Sequence, residues 1–487
     1  MPFLYLIIPK PRSVQHKNFG RFIFWGIVAS CIVNIIGWFV TLHEGEASRL
    51  AATTARILHN YRQSGLLEGI ISNAGEAPFT LWVSGIFMAI LGPNHIAYRI
   101  PGFLAMIFCL FSVNRLARIY CTPGVSKLAT LITATLQSTF ILNENVNPDT
   151  YATAFYTFTI WQLAACLRDK RLQNFILTLL GLALVIISKG TLDDTSSRFT
   201  PFSLSIILLW SFSPWTIFLI LGIWQQLKAA WKDKRGKNAA YRSLPLYALL
   251  APFILLSLNP YQTTTDAFLL YPLGAIFAAE YISRTFYEQP APVFAKKIYI
   301  IQVVLCYLAL ALLFWIVWYP FSDNNYYGLI HYMGMLSIFT WLVFFSSFRN
   351  KLLICCIVIA IGGNLVLNSY YYPNLSRYQA GSTLGLLAKT DGVEDNRLFS
   401  YQAGAPYTLE FYSGVRIRET GDFRKLIAQK NCWVYTHQHL LEEFRALRPD
   451  LRILGSSNDF PFSGVNITFL NPNSRNQVIS RKILLKL

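Results

Sequence analysis

Charge is scarce in this chain of 487 residues. Only 14% of its residues are Asp, Glu, Lys or Arg, and 54% are hydrophobic. So few charges exclude a disordered chain, and so much apolar side chain exceeds what one soluble core absorbs. Acidic residues are scarcer still, 24 against 42 basic ones. Cysteine offers no framework: Cys31, Cys109, Cys121, Cys166, Cys306, Cys355 and Cys356 lie in or beside apolar runs, and Cys432 stands alone near the C-terminus. Neither disulfide nor zinc spacing is present. The first apolar run lacks a small-residue cleavage site and follows a basic leader, so it reads as a retained anchor rather than a signal peptide. Internal repeats and mid-span acids, which a transporter or lipid flippase would bring, are not evident.

What remains is a series of apolar runs long enough to cross a bilayer, which takes about 20 residues. They predict a polytopic α-helical membrane protein with spans near 22–42, 100–119, 126–143, 150–167, 172–188, 202–226, 243–258, 264–284, 298–319, 326–347 and 351–371. With the N-terminus cytoplasmic, these eleven spans put 21 Lys and Arg on the inner side. Only six lie outside: Arg49, Arg56, Arg62, Arg99, Lys189 and Arg198. That asymmetry follows the positive-inside rule, so the net charge of +18 needs no nucleic-acid partner. It holds only if the run PFTLWVSGIFMAILGPN at 78–94 does not cross. That run is short and ends in Gly92 and Pro93, and it reads as an amphipathic helix in the outer interface.

Beyond residue 371 the runs stop and charge rises. RLFSYQ at 397, WVYTH at 433, LRILGSS at 451 and VNITFL at 465 read as strands, and HLLEEFRALRPD at 439–450 reads as a helix. Residues 372–487 are therefore expected to be a small extracytoplasmic α/β domain, accessory to a membrane domain formed by residues 1–371.

The outer segments collect the acids. Glu44 and Glu46 follow the first span in a long loop, 43–99, and Glu76 lies later in it. Asp149 begins the fourth span, and SKGTLDDTSSR brings Lys189, Asp193, Asp194 and Arg198 to the same level. Each has a plain alternative: Asp149 as a helix-capping residue, Glu44 and Glu46 as solvated loop, Glu76 as a helix-start charge, Asp193 and Asp194 as a polar turn. Together they suggest function, because ionisable groups at membrane depth are costly. Tyr261, Gln262 and Asp266, in NPYQTTTD, can line the same cavity.

The order HEGEASRLA, GEAPFTLWVSGIFMAILG, AYRIPGFL, NPDTYATAFYTF, TLDDTSSRFTPF, WSFSPW and LLSLNPYQTTTDAFLLYPLGAIFAA resembles the GT-C glycosyltransferases that use polyprenyl-phosphate sugars. That group includes the aminoarabinose lipid A transferase and the protein O-mannosyltransferases. The resemblance covers residues 1 to about 285 and continues loosely beyond. It implies a GT-C-like fold and a catalytic base at Glu46 or Glu44, with Asp149 matching the acid after the third span. Basic groups for the donor phosphate are Arg99, Lys189, Arg198 and Arg56, and Glu76, Asp149 and Asp193 are the candidates to hold a divalent metal. Three departures accompany it: Gly45-Glu46 where the family has Asp-Glu, Ala77 where it has Lys, and Ser196-Ser197-Arg198 where the lipid A branch has a metal-binding His. The stretch before the Asp-Asp turn is also about two helices shorter.

The resemblance implies an integral protein of the bacterial inner membrane. It would move a sugar from a polyprenyl-phosphate donor to an envelope lipid, glycan or protein acceptor at the outer face, with membrane lipids as neighbours. A catalytically inactive scaffold, or a transporter or flippase of lipid-linked substrates, is the alternative.

Overall fold

The computed structural model describes residues 17–64, 78–189, 201–232, 239–259, 265–288, 292–321, 326–346, 350–461 and 465–487. Each of the eleven expected spans contains helix among the described residues. The first part of the chain forms α1 (Lys17–Gly37), α2 (Glu46–Ser64), α3 (Pro78–Leu91), α4 (His95–Tyr120), α5 (Pro123–Ala134), α6 (Gln137–Glu144), α7 (Pro148–Asp169) and α8 (Leu172–Lys189). The rest of the bundle is α9 (Pro201–Ser211), α10 (Thr216–Lys232), α11 (Ala239–Leu258), α12 (Tyr271–Ser283), α13 (Pro292–Trp318), α14 (Tyr326–Phe344) and α15 (Lys351–Val366). Among the described residues, seven helices are long and apolar enough to cross a membrane, or nine if each of two bent pairs counts as one span.

The bends correct two expected straight spans. The segment 126–143 breaks between α5 and α6 with a 51° bend. There the Thr135 hydroxyl donates to the carbonyls of Leu131 and Ile132, competing with the helix ladder. The segment 202–226 turns by 116° between α9 and α10. Pro214 lies in that break, and proline has no N–H for a helix ladder. The remaining expected spans, 150–167 and 264–284, are helices largely enclosed by protein. Helix α7 buries a file of threonines, and α12 is buried along nearly its whole length. Its 13 residues rise only about 20 Å, which suits a helix packed within the bundle better than one facing lipid.

Helix α3 has 14 residues, about 21 Å of rise against about 30 Å of hydrocarbon, so its length fits the expected non-crossing element. Thr80, Leu81, Ser84 and Met88 form its buried face. The helix stops where Gly92 takes φ +85°, a left-handed conformation that glycine adopts without penalty.

After α16 (Tyr372–Ser376), the chain builds an α/β unit from α17 (Ala380–Thr390), β1 (Leu398–Tyr401), α18 (Tyr407–Ser413), β2 (Ile417–Glu419), α19 (Phe423–Ile427), β3 (Trp433–His437), α20 (Leu441–Leu447), β4 (Arg452–Asp459), α21 (Ile467–Leu470) and β5 (Ser480–Lys486). The sheet order is β2-β1-β3-β5-β4. Strand β1 runs parallel to β2 and β3, while β5 runs antiparallel between β3 and β4. One face, with Trp433, Tyr435 and Leu484, packs on α17 and α18; the other, with Val434, Ile483 and Leu485, packs on Leu426 and Phe444 of α19 and α20.

VNITFL is not a strand. The Asn466 side chain accepts the Phe469 N–H at 2.9 Å, capping the short α21 and stacking Phe469 on Phe460. Strand β5 takes the inner sheet position instead. Leu484 has no exposed surface, so Leu484→Ala should cost about 2–5 kcal/mol through lost burial and an unfilled cavity. Thermal unfolding of the full chain in detergent checks this, with volume-conserving Leu484→Met expected to lose less than about 1.5 kcal/mol.

Candidate active site

At the end of the bundle that carries the sheet, helix starts and helix ends bring charge together. Helix α7 begins with a capping box: the Asn147 side chain accepts the Thr150 N–H at 3.2 Å, the Thr150 hydroxyl accepts the Asn147 N–H at 3.3 Å, and Pro148 occupies the first helical position. Capping therefore belongs to Asn147, which leaves the Asp149 carboxylate for other contacts. One oxygen pairs with the Lys189 ammonium from the last turn of α8, and the other accepts the Thr265 hydroxyl. Lys189 also pairs with Asp266, at the start of the 3₁₀ turn Asp266–Leu270 that leads into α12. The carboxylates are buried, with 8% and 12% of the side chain exposed, while Lys189 keeps 32% exposed. An ammonium carries three hydrogens. Two meet Asp149 and Asp266, and the third has no partner among the described residues.

Helix α2 starts at Glu46 because Gly45 serves as its cap, with Ser48 exchanging hydrogen bonds with Gly45 N–H and C=O at 3.0 and 2.9 Å. Gly45 itself takes φ +157°, a backbone conformation that side-chain-bearing residues rarely adopt. Glu46 is exposed in the first helical turn, where the helix dipole favours negative charge. Ala47 beside it, Val146 and Tyr151 flanking Asp149, and Tyr412 share one apolar cluster, so the Glu46 loop and the start of α7 belong to one layer.

Glu44 is occupied differently. Its carboxylate accepts the N–H of Tyr407 and Thr408 at 2.9 Å each and the Thr408 hydroxyl at 2.6 Å, capping α18. Arg56 pairs with Glu410 of the same helix, its Nε donating at 2.9 Å. The Leu42 N–H donates to the Tyr412 hydroxyl at 2.7 Å. Burial pushes the Tyr412 phenol up to about 12, so this contact does not titrate at neutral pH.

Arg99 is fully buried. Its Nε donates to the Glu144 carbonyl at 2.9 Å, and Nη1 donates to the carbonyls of Trp38 and Val40 at 2.9 and 2.6 Å, fastening the exit of α1 to the end of α6. His43 lies 3.5 Å from the buried Glu144 carboxylate. Sequence reasoning missed Glu144 and the α18 residues. Glu144 was accessible to the same rule that selected Asp149, a carboxylate at membrane depth. The contacts of α18 carry no local signal, since they join positions more than 350 residues apart.

Of the candidate site residues, the structure joins Asp149 and Lys189 directly and adds Asp266. It places Glu46 in the same layer, commits Glu44 and Arg56 to α18, and encloses Arg99. Glu76, Asp193 and Arg198 lie outside the described residues. Among the described residues no group of three or more His, Cys, Asp or Glu is arranged to hold a metal ion, and both Asp149 oxygens are engaged. The described carboxylates do not by themselves form a metal site.

Residues 75–211 match the sequence profile of the dolichyl-phosphate-mannose-protein mannosyltransferases. ArnT from Cupriavidus metallidurans in the apo state superposes with a TM-score of 0.66 at 10% identity, over 96% of this chain and 97% of that one. The fold is GT-C-like. ArnT from the same organism bound to undecaprenyl phosphate gives a TM-score of 0.64 at 9% identity, over 96% and 98%. No curated protein matches the chain by sequence. Within this GT-C-like fold, the chain is an integral membrane protein whose charged cluster sits at the sheet-bearing end.

Removing Lys189 would take away the cation that sits between two buried carboxylates. Lys189→Met should destabilise the protein by about 3 kcal/mol, the low end for breaking a buried pair given the partial exposure of the lysine. Adding Asp149→Asn and Asp266→Asn should restore most of that loss. Unfolding midpoints in detergent at neutral pH test it; a single variant as stable as wild type would count against the network.

Proposed function

We propose that the chain is a membrane glycosyltransferase that moves a sugar from a polyprenyl-phosphate donor to a cell-envelope lipid, glycan or protein acceptor at the extracytoplasmic face of a bacterial inner membrane. The observation that supports it most is the partly exposed Lys189 ammonium, oriented by Asp149 and Asp266 in the layer that also holds Glu46. A lipid phosphate is a fitting partner for such a group. Its tail stays in hydrocarbon while its headgroup reaches the end of the bundle, and the ArnT fold carries undecaprenyl phosphate in one of its structures.

In this reading Glu46 takes the proton of the acceptor hydroxyl as its oxygen attacks the anomeric carbon. The bond from that carbon to the phosphate oxygen breaks, and polyprenyl phosphate departs with the electron pair. Lys189 offers its third hydrogen to the phosphate, where negative charge grows in the transition state. Asp149 and Asp266 hold the ammonium in place. Glu46 is favoured over Glu44 as base because the Glu44 carboxylate already accepts three hydrogen bonds. Arg56 and Arg99 are committed within the protein, which leaves Lys189, with Arg198 beyond the described residues, to meet the phosphate. Residues 1–371 form the catalytic membrane unit of this proposal.

Mass spectrometry of envelope lipids and glycans, with and without the gene, should reveal a sugar that depends on it. Complementation by Glu46→Gln should lower that product at least a hundredfold while leaving undecaprenyl phosphate binding intact. Wild-type product levels from Glu46→Gln would remove Glu46 as base.

A further inference from the structure

The sequence suggested an accessory C-terminal unit; the contacts of α18 argue otherwise. We propose that α18, seven residues of the C-terminal unit, is the positioning element of the active site, and that Glu44 is the positioning residue through which it acts on Glu46. This rests on Glu46 being the catalytic carboxylate.

The contacts bracket Glu46 on both sides. Before it, the Leu42 N–H is held by Tyr412, and Glu44 is held by Tyr407 and Thr408. After it, Arg56 is held by Glu410, ten residues or about 15 Å along α2. All four partners come from one short helix, whose own place is set by packing on α17 and on the buried face of the sheet. Phe411 and Tyr412 reach from it into the cluster that contains Ala47 and Leu50 of α2.

Residues 38–45, by contrast, contain only turns and irregular backbone before α2 begins. Such a segment has conformational freedom to lose, and holding it takes contacts from elsewhere. Arg99 holds its first half from the bundle through Trp38 and Val40, and Glu144 lies 3.5 Å from His43. In the half nearest Glu46, Leu42 and Glu44 are held by α18. Hydrogen bonds to an ionised carboxylate are roughly twice as strong as neutral ones, and Glu44 accepts three. Glu44 and Glu46 are two residues apart, at most about 7 Å of chain, so a shift at one is felt at the other. A displacement of about 1 Å in a reacting group lowers rate on the order of a hundredfold. His59 and Asp395 form a further contact at 2.9 Å, but both are half exposed and it adds little.

The test uses the full chain with Thr408→Val, Thr408→Ser, Glu410→Arg and the swap Arg56→Glu with Glu410→Arg. Hydrogen exchange at residues 42–56 should rise at least tenfold in Thr408→Val and Glu410→Arg, while the strands at 433–437 and 480–486 keep wild-type protection as the folding control. Gene-dependent product should fall at least tenfold in both, with affinity for undecaprenyl phosphate within twofold of wild type. Thr408→Ser, which keeps the hydroxyl, and the charge swap should each recover exchange and product. A purely structural role would not separate transfer from lipid binding in this way. Unchanged exchange, or a loosened loop with wild-type product, overturns the proposal. If the loop loosens and is rescued as expected but wild type itself makes no gene-dependent product, the positioning contact stands and the glycosyltransferase reading fails.

Discussion

The placing of Lys189 between Asp149 and Asp266 is the constraint on which the sheet-bearing end of the bundle depends. Three elements that the chain delivers separately, the start of α7, the end of α8 and the turn before α12, meet at one ammonium. Two buried carboxylates without that cation would repel each other in a medium of low dielectric constant. With it, they fix the positions of three helix termini. The cap at Asn147 matters for the same reason: it satisfies the first turn of α7 and so leaves Asp149 free to face Lys189. A charge that bridges helices also has to be reachable from outside for chemistry, and Lys189 is the most exposed member of the set.

A second set of contacts solves a different problem, that of holding irregular chain at the mouth of the bundle. Arg99 is spent on backbone carbonyls rather than on a carboxylate, and its Nη2 has no hydrogen-bond partner among the described residues. It replaces the ladder that the exit of α1 lacks. Past that point the C-terminal unit takes over through α18. The chain thus reaches Glu46 already fixed from below by the bundle and from the side by the sheet, which joins the two ends of the sequence in one layer.

Much of this was legible in the sequence, and what was not has physical causes. Apolar runs at helix length located helices in all eleven segments, seven of them long and apolar enough to cross a membrane among the described residues, or nine with the two bent pairs. Two of them bend where Thr135 and Pro214 interrupt the ladder, details that a hydropathy reading averages away. Asp149 and Lys189 were both selected as ionisable groups at membrane depth, and they meet; Asp266 was noted nearby. Arg99 and Arg56 read as phosphate ligands in the sequence, which records charge but not direction, and both turn toward the protein. VNITFL read as a strand from its β-branched and apolar residues, whereas the Asn466 cap and the Phe469–Phe460 stack make it helical. The partnership between Glu44 and α18 spans 363 positions, and no periodicity encodes a contact of that separation.

The measurement that bears most directly on the account is a cryo-electron microscopy structure of the full chain with undecaprenyl phosphate. A phosphate oxygen should lie within hydrogen-bond distance, about 3 Å, of the Lys189 ammonium, with the headgroup facing the Glu46 loop and the tail leaving between helices toward lipid. A phosphate bound elsewhere on the bundle, with Lys189 turned away from it, would contradict the account.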